Sequence, residues 1–370
     1  MTDRLIGHPW SVRMADSVLA RYPTLSSRWH YEPGVVLLAL LRVWHQTGEP
    51  RYYEYVKRNI DELVGPDGSI RTYCLEEYNL DQINEGKLLF PLYETTADER
   101  YRKAAYLLRK QLETQPRICE GGFWHKQIYP HQMWLDGIYM ASPFYAEFAR
   151  CFGEPEGFDD VACQFLLAEK HTRDPESGLL YHAWDESRSQ KWADRETGCS
   201  PHFWGRALGW YTMALPDMLD HLPVDHPQRE RLITIFQATM GAVVQVQDPA
   251  SGVWYQVLDQ VGRPGNYLES SASCMFVYAL AKGMRKEYLG KEYLAAAQKG
   301  YNGILTEFVT VDEQGLVNLE GICAVAGLGG NPYRDGSYEY YVGEPVIANE
   351  HKGVGVFIMA SIEMERMEER

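Results

Sequence analysis

Five stretches of this chain place acids, an arginine and aromatic rings at the starts of apolar-periodic segments. They are Asp81-Gln82-Ile83-Asn84, Met133-Trp134-Leu135-Asp136, His202-Phe203-Trp204-Gly205-Arg206, Leu268-Glu269-Ser270-Ser271 and Asn349-Glu350-His351-Lys352. Such residues carry donors or acceptors that need partners, so they are poor core material. Five of these clusters at equivalent points of a repeated unit predict one shared concave site. Asp136 adjoins Met133, Trp134 and Leu135, and partly dry surroundings favour the protonated carboxyl that a general acid needs. The competing role is a helix N-cap. Asp81 carries the same two readings. Two acids at neighbouring helix starts could form the acid/base pair common in glycoside cleavage. Arg206, flanked by Trp204 and Trp210, suits a clamp for a carboxylate beside a stacked sugar, or an ion pair with an interior acid. Lys352 is a further cation with a surface role as its alternative. His125 and His182 sit in long loops on the same face, where they could bind hydroxyls or make ordinary loop hydrogen bonds.

Other chemistries lack their motifs. No H-E-x-x-H or Cys/His cluster has metal spacing, so no metal is expected. No G-x-G-x-x-G or P-loop is present, so no nucleotide cofactor is expected, and no G-x-S-x-G elbow supports a serine hydrolase.

The elements that must position these residues are helical. Apolar residues at three- and four-residue spacing predict helices over 10–22, 32–46, 50–63, 81–96, 98–115, 133–151, 157–172, 202–221, 226–247, 268–287, 291–309 and 349–367. Six pairs in 370 residues give about 62 residues per pair. Short connections alternate with long ones, near 64–80, 116–132, 173–201, 248–267 and 310–348. Each long loop holds a Gly turn followed by apolar residues: Asp67-Gly68-Ser69, Gly121-Gly122-Phe123-Trp124, Ser177-Gly178-Leu179, Ser251-Gly252-Val253 and Gln314-Gly315-Leu316. These predict short extended segments or hairpins on one face. The expected fold is all-α, an (α/α)6 barrel in one domain spanning 1–370, with the helices that follow the long loops forming the inner ring.

Composition narrows the partners. A net charge of -15 disfavours nucleic acid and anionic membranes. It also obliges an anionic substrate to find local cations. Aromatic residues make up 13%, with 10 Trp and 25 Tyr; these suit sugar rings as well as core filling. The seven cysteines show no C-x-x-C spacing and read as reduced thiols. The first 22 residues lack the apolar stretch of a signal peptide, and the longest apolar run, Val35 to Leu41, is too short for a membrane span. The expectation is a cytoplasmic protein, monomeric or a weak homodimer, with an acidic, solvated helix end at Glu363 to Arg370.

Several segments together resemble the unsaturated rhamnogalacturonyl hydrolases of glycoside hydrolase family 105, which are related to the unsaturated glucuronyl hydrolases of family 88. They are Trp29-His30-Tyr31-Glu32, Asn79 to Asn84, Gln132 to Met140, Thr197 to Trp210, and Asp335-Gly336-Ser337-Tyr338-Glu339-Tyr340-Tyr341. The resemblance covers nearly the whole chain and implies the (α/α)6 barrel. It implies removal of a 4,5-unsaturated uronic acid from the non-reducing end of small lyase-generated oligosaccharides, usually unsaturated galacturonyl-rhamnose. It places the catalytic acid at Asp136 and a second important acid at Asp81. Uronate binding falls to Arg206, Trp204 and Trp210 with His182 near them, and further contacts to Tyr31, His125 and Trp134. Glu350 departs from the Asp expected there. An unsaturated glucuronyl hydrolase is the nearest alternative. An epimerase on the same barrel would need paired His bases, and a non-catalytic uronide-binding protein would leave its ligand unchanged.

Overall fold

The computed structural model describes residues 8–25 and 27–368. Its helices are α1 (Trp10–Arg21), α2 (Tyr31–Thr47), α3 (Pro50–Asp61), α4 (Leu89–Thr96), α5 (Glu99–Thr114), α6 (Leu135–Phe152), α7 (Glu156–Thr172), α8 (Gly205–Leu219), α9 (Arg229–Gln245), α10 (Ser270–Arg285), α11 (Leu294–Glu307), the short α12 (Tyr338–Gly343) and α13 (His351–Glu368). Helix α2 meets the 3₁₀ segment Asn84–Leu88 that leads into α4; that segment and α4 contact α6; α8, α10 and α13 follow in turn, and α13 closes the ring on α2. Helices α1, α3, α5, α7, α9 and α11 pack outside them. This is the (α/α)6 barrel, with the inner ring assigned as expected. The layers differ in their sequences. Every residue of α8 is buried, whereas α5 buries a stripe of Tyr101, Ala104, Ala105, Leu108 and Leu112 and, of its charged residues, only Arg109.

Five of the six inner helices follow long loops and α2 follows the shorter connection 22–30, so their N-terminal ends share one face. The loops are pinned by glycines at 68, 121, 178, 252 and 315, all with positive φ. A Cβ on Gly252 would lie 2.6 Å from the Lys299 carbonyl oxygen, so the turn needs glycine on two counts. Three two-stranded sheets form here: β1 (Gln132–Trp134) with β2 (Ala183–Asp185), β3 (Val309–Val311) with β4 (Val317–Leu319), and β5 (Ile322–Cys323) with β6 (Val346–Ile347). The β1–β2 register pairs Trp134 with Ala183, which brings the start of α6 beside His182. Trp134, Ala183, Trp192, Ala193 and Leu328 form a small second core joining three long loops over the barrel end.

Two expectations need correction. The segment 81–96 is not one helix: Leu80–Gln82 and Asn84–Leu88 are 3₁₀ turns, and α geometry begins at Leu89. Pro91 has no N–H for the Lys87 carbonyl, which removes one i→i−4 bond where the 3₁₀ turns pass into α4. The C-terminal run is not simply solvated either. Glu363 is buried and accepts from Arg285 Nε and Nη2 at 2.5 and 2.8 Å, and Met364 is core. Residues 369–370, and residues 1–7, on which the signal-peptide expectation partly rests, lie outside the described residues. No described helix is long and apolar enough to cross a membrane.

Candidate active site

Neither aspartate caps a helix. Asn79 does so for the 3₁₀ turn, accepting from the Asp81 N–H at 3.1 Å, and Asp136 lies within the first turn of α6 with no capping bond at its start. Both carboxyls are therefore available for other work, and their surroundings differ. Asp81 accepts from Lys126 Nζ at 2.6 Å, with His125 Nε2 at 3.7 Å. Burial alone would raise its pKa. Lys126, then His125, outweigh that and hold the carboxyl below its usual range, so it is ionised near neutral pH. Burial pushes His125 down to about 4 despite the nearby Asp81 charge, leaving a neutral imidazole.

Asp136 has no cation. Its side chain is 14% exposed, and its Oδ2 lies 3.1 Å from His182 Nε2. That approach is off the hydrogen-bonding direction, and both atoms are buried without another partner. Catalytic hydrogen bonds are often loosely aligned before substrate binds. On its other side, His182 Nδ1 lies 2.7 Å from Tyr341 Oη.

Tyr31 links the remaining members. Burial raises its phenol pKa well above the usual value, with Asp81 and Glu32 adding and Arg206 opposing, so it stays protonated among these charges. Lys352 is not on the surface: it is buried, with Nζ at 2.6 Å from both Glu32 Oε1 and Glu350 Oε1. Arg206 is buried too. Its guanidinium donates to the Cys323 carbonyl, reaches Ser271 Oγ at 3.4 Å, and stands 4.0 Å from the fully buried Glu269. The interior ion pair is therefore real, and an anionic ligand reaching Arg206 would share it with Glu269. Each of these three cations already faces a carboxylate.

The tryptophans are walls, not open platforms. Trp204 and Trp210 are each 1% exposed. Trp210 is covered by Tyr139, stacked at 4.6 Å, and by the edge of Tyr31 at 6.4 Å. Trp204 packs between Tyr341, His182 and the Arg206 guanidinium, and donates to Gln256. Trp134 is overlain by His125 at 4.6 Å and Tyr129 at 4.8 Å. These rings hold the polar groups in place, while Asp136, Tyr31 and Lys126 stay partly exposed. The residues that sequence reasoning left unassigned are Lys126, Glu269 and Tyr341. Lys126 adjoins His125, and Tyr341 ends the segment 335–341.

An all-α toroid with an ionised carboxylate and a carboxyl without a cation at one mouth fits a hydrolase of the glycoside-cleaving class. The comparisons with known proteins agree: the family model described as Glycosyl Hydrolase Family 88 matches residues 10–368, and the chain belongs to that family. A solved glycoside hydrolase from family 105 of C. acetobutylicum ATCC 824 is 49% identical, covers 97% of this chain and 100% of its own, and superposes with a TM-score of 0.95. The unsaturated rhamnogalacturonyl hydrolase YesR of Bacillus subtilis is 28% identical over 82% of each chain. The unsaturated glucuronyl hydrolase structure from Bacillus sp. GL1 shares 15% identity and a TM-score of 0.71, a likeness of fold.

Proposed function

We propose that this enzyme, acting as one catalytic unit, releases 4,5-unsaturated galacturonic acid from the non-reducing end of lyase-generated rhamnogalacturonan oligosaccharides. The observation that carries the chemistry is the contrast between the two acids: Asp81 is held ionised by Lys126, while Asp136 has no cation and keeps one side toward the mouth. The similarity to YesR supports the galacturonyl-rhamnose substrate.

The substrate ring contains a vinyl ether, C4=C5–O. Asp136 gives its proton to C4, and positive charge develops at C5 and the ring oxygen. Water adds its oxygen to C5 and loses a proton to the Asp136 carboxylate or to Asp81. The resulting hemiketal opens, the glycosidic bond is lost, and a 4-deoxy-5-keto uronate leaves. Asp136 and Asp81 are the catalytic residues in this reading. Arg206, Tyr31, His125 and His182 set the polar lining, backed by Trp134, Trp204 and Trp210. The test is absorbance near 235 nm, where the conjugated uronate absorbs, on the unsaturated galacturonyl-rhamnose disaccharide. Loss of absorbance with rhamnose release is expected. Loss only with unsaturated glucuronyl substrates would move the assignment to that activity. No loss with either class overturns it.

A further inference from the structure

Tyr341 and His182 come from loops 159 residues apart and meet at 2.7 Å beneath the mouth, both fully buried. The direction of that bond decides where the proton of Asp136 resides. A phenol has one proton, and Tyr341 Oη makes no other hydrogen bond among the described residues. If Nδ1–H were the donor, the phenol proton would be buried with no acceptor in reach, whereas an Nε2–H has Asp136 Oδ2 at 3.1 Å and needs only a small reorientation to use it. The hydroxyl must then donate to Nδ1, which makes the neutral ring an Nε2–H tautomer. That Nε2 faces Asp136 Oδ2, the buried oxygen of the carboxyl.

We propose that Tyr341 is a positioning residue: by donating to His182 Nδ1 it presents Nε2–H to Asp136 Oδ2, which confines the carboxyl proton to Oδ1, the oxygen left for the substrate. This rests on the reading of Asp136 as proton donor. The opposite tautomer would turn the Nε2 lone pair toward Oδ2, draw the proton to the buried oxygen and away from C4. The scaffold resists such a switch. Gln256 donates to the Tyr341 carbonyl at 3.0 Å while accepting from Trp204 Nε1 at 3.1 Å, and the Trp204 ring stacks on Tyr341. Two side chains thus hold the phenol against the imidazole.

The experiment is a long-range proton–nitrogen correlation spectrum of the histidine rings in the ¹⁵N-labelled full chain at neutral pH, wild type and Tyr341→Phe, with kcat and KM on the unsaturated disaccharide. Wild type should show His182 as the Nε2–H tautomer. Tyr341→Phe should show a tautomer mixture, with kcat down about tenfold and KM changed less than about twofold, the scale of one lost neutral hydrogen bond. An Nδ1–H tautomer in wild type overturns the proposal, and this result needs no variant to fold. So does a Tyr341→Phe protein that keeps the Nε2–H tautomer, whatever its kcat, because Tyr341 would then be merely structural. A wild-type protein inert on every unsaturated uronide overturns the functional reading and the Asp136 part of the proposal. The spectrum separately decides the Tyr341–His182 part.

Discussion

The two ends of the barrel hold the same kinds of residue and use them differently. At the mouth, Asp136 meets a histidine and no cation. At the opposite end, where α2, α8 and α10 finish, Asp217 accepts from Lys282 Nζ at 2.5 Å, from Arg42 Nη2 at 3.1 Å and from the Tyr278 hydroxyl. Burial works to raise the Asp217 pKa, but Lys282 and Arg42 outweigh it and drive it far below the carboxylate range. Asp220 joins the cluster through Lys282 and Lys286 at 2.7 and 2.6 Å. A carboxylate closed in by cations cannot exchange a proton near neutral pH; it can only hold helix ends together. The role of an acid in this fold follows from its partners more than from its burial.

The largest expected effect comes from removing the unpaired acid. Asp136→Asn should lower kcat by about 10³-fold or more while leaving the melting temperature nearly unchanged, because general acid chemistry contributes on this scale and no ion pair is broken. Turnover within about tenfold of wild type would break the contrast. Asp217→Asn should do the reverse. Leaving Lys282 and Arg42 buried with a neutral partner should cost about 3 kcal/mol or more of stability. Denaturant unfolding reads that loss, and kcat of the folded fraction should stay within about twofold. A large fall in kcat without loss of stability would place Asp217 in the chemistry instead.

Asp81 stands between these extremes, ionised by one cation yet facing the mouth. Lys126→Met should release its carboxyl toward higher pKa, since the opposing charge is gone while burial remains. Activity that needs ionised Asp81 would then fail sooner on acidification. The acid limb of the kcat/KM profile should move up by about one pH unit, with roughly tenfold less activity near that limb. An unmoved limb would show that Asp81 is not required as an anion.

Why some of this was legible in the sequence and some was not has a physical basis. The ring itself is written locally, since each inner helix repeats its apolar spacing and each long loop repeats a glycine that must take positive φ. The chemistry-bearing helix starts are legible because polar groups stand out against an apolar pattern. The 3₁₀ break in 81–96 was not legible, since Pro143 and Pro216 sit inside continuous helices just as Pro91 sits inside α4. Partnerships were not legible. Tyr341 finds His182, and Arg206 finds Glu269, only because the loops fold over one mouth. Tryptophan suits a core or a sugar equally well, and only the fold decides that Trp204 and Trp210 face inward.

The smallest expected effect sharpens the comparison from inside the barrel. Lys87 lies between the two ends, with its Nζ 3.9 Å over the Tyr139 ring and no hydrogen-bond partner. Tyr139 in turn stacks on Trp210, so the lysine sits beneath the floor of the mouth. Burial pushes Lys87 down from its usual 10.5 to about 7, although Asp217 pulls it up. The unfolded chain keeps that proton up to about pH 10.5, whereas the folded protein releases it near 7. Between these values the unfolded state binds more protons, so Lys87 makes stability rise with pH, by at most about 1.4 kcal/mol per unit. Lys87→Met should remove that contribution: it should be more stable than wild type at pH 7, with the gain shrinking toward pH 9. Urea unfolding of both proteins at pH 7, 8 and 9 measures the difference in slope. Equal slopes would mean that Lys87 stays charged in the fold, and the ionic cluster below Asp217 would then extend up to the floor of the mouth.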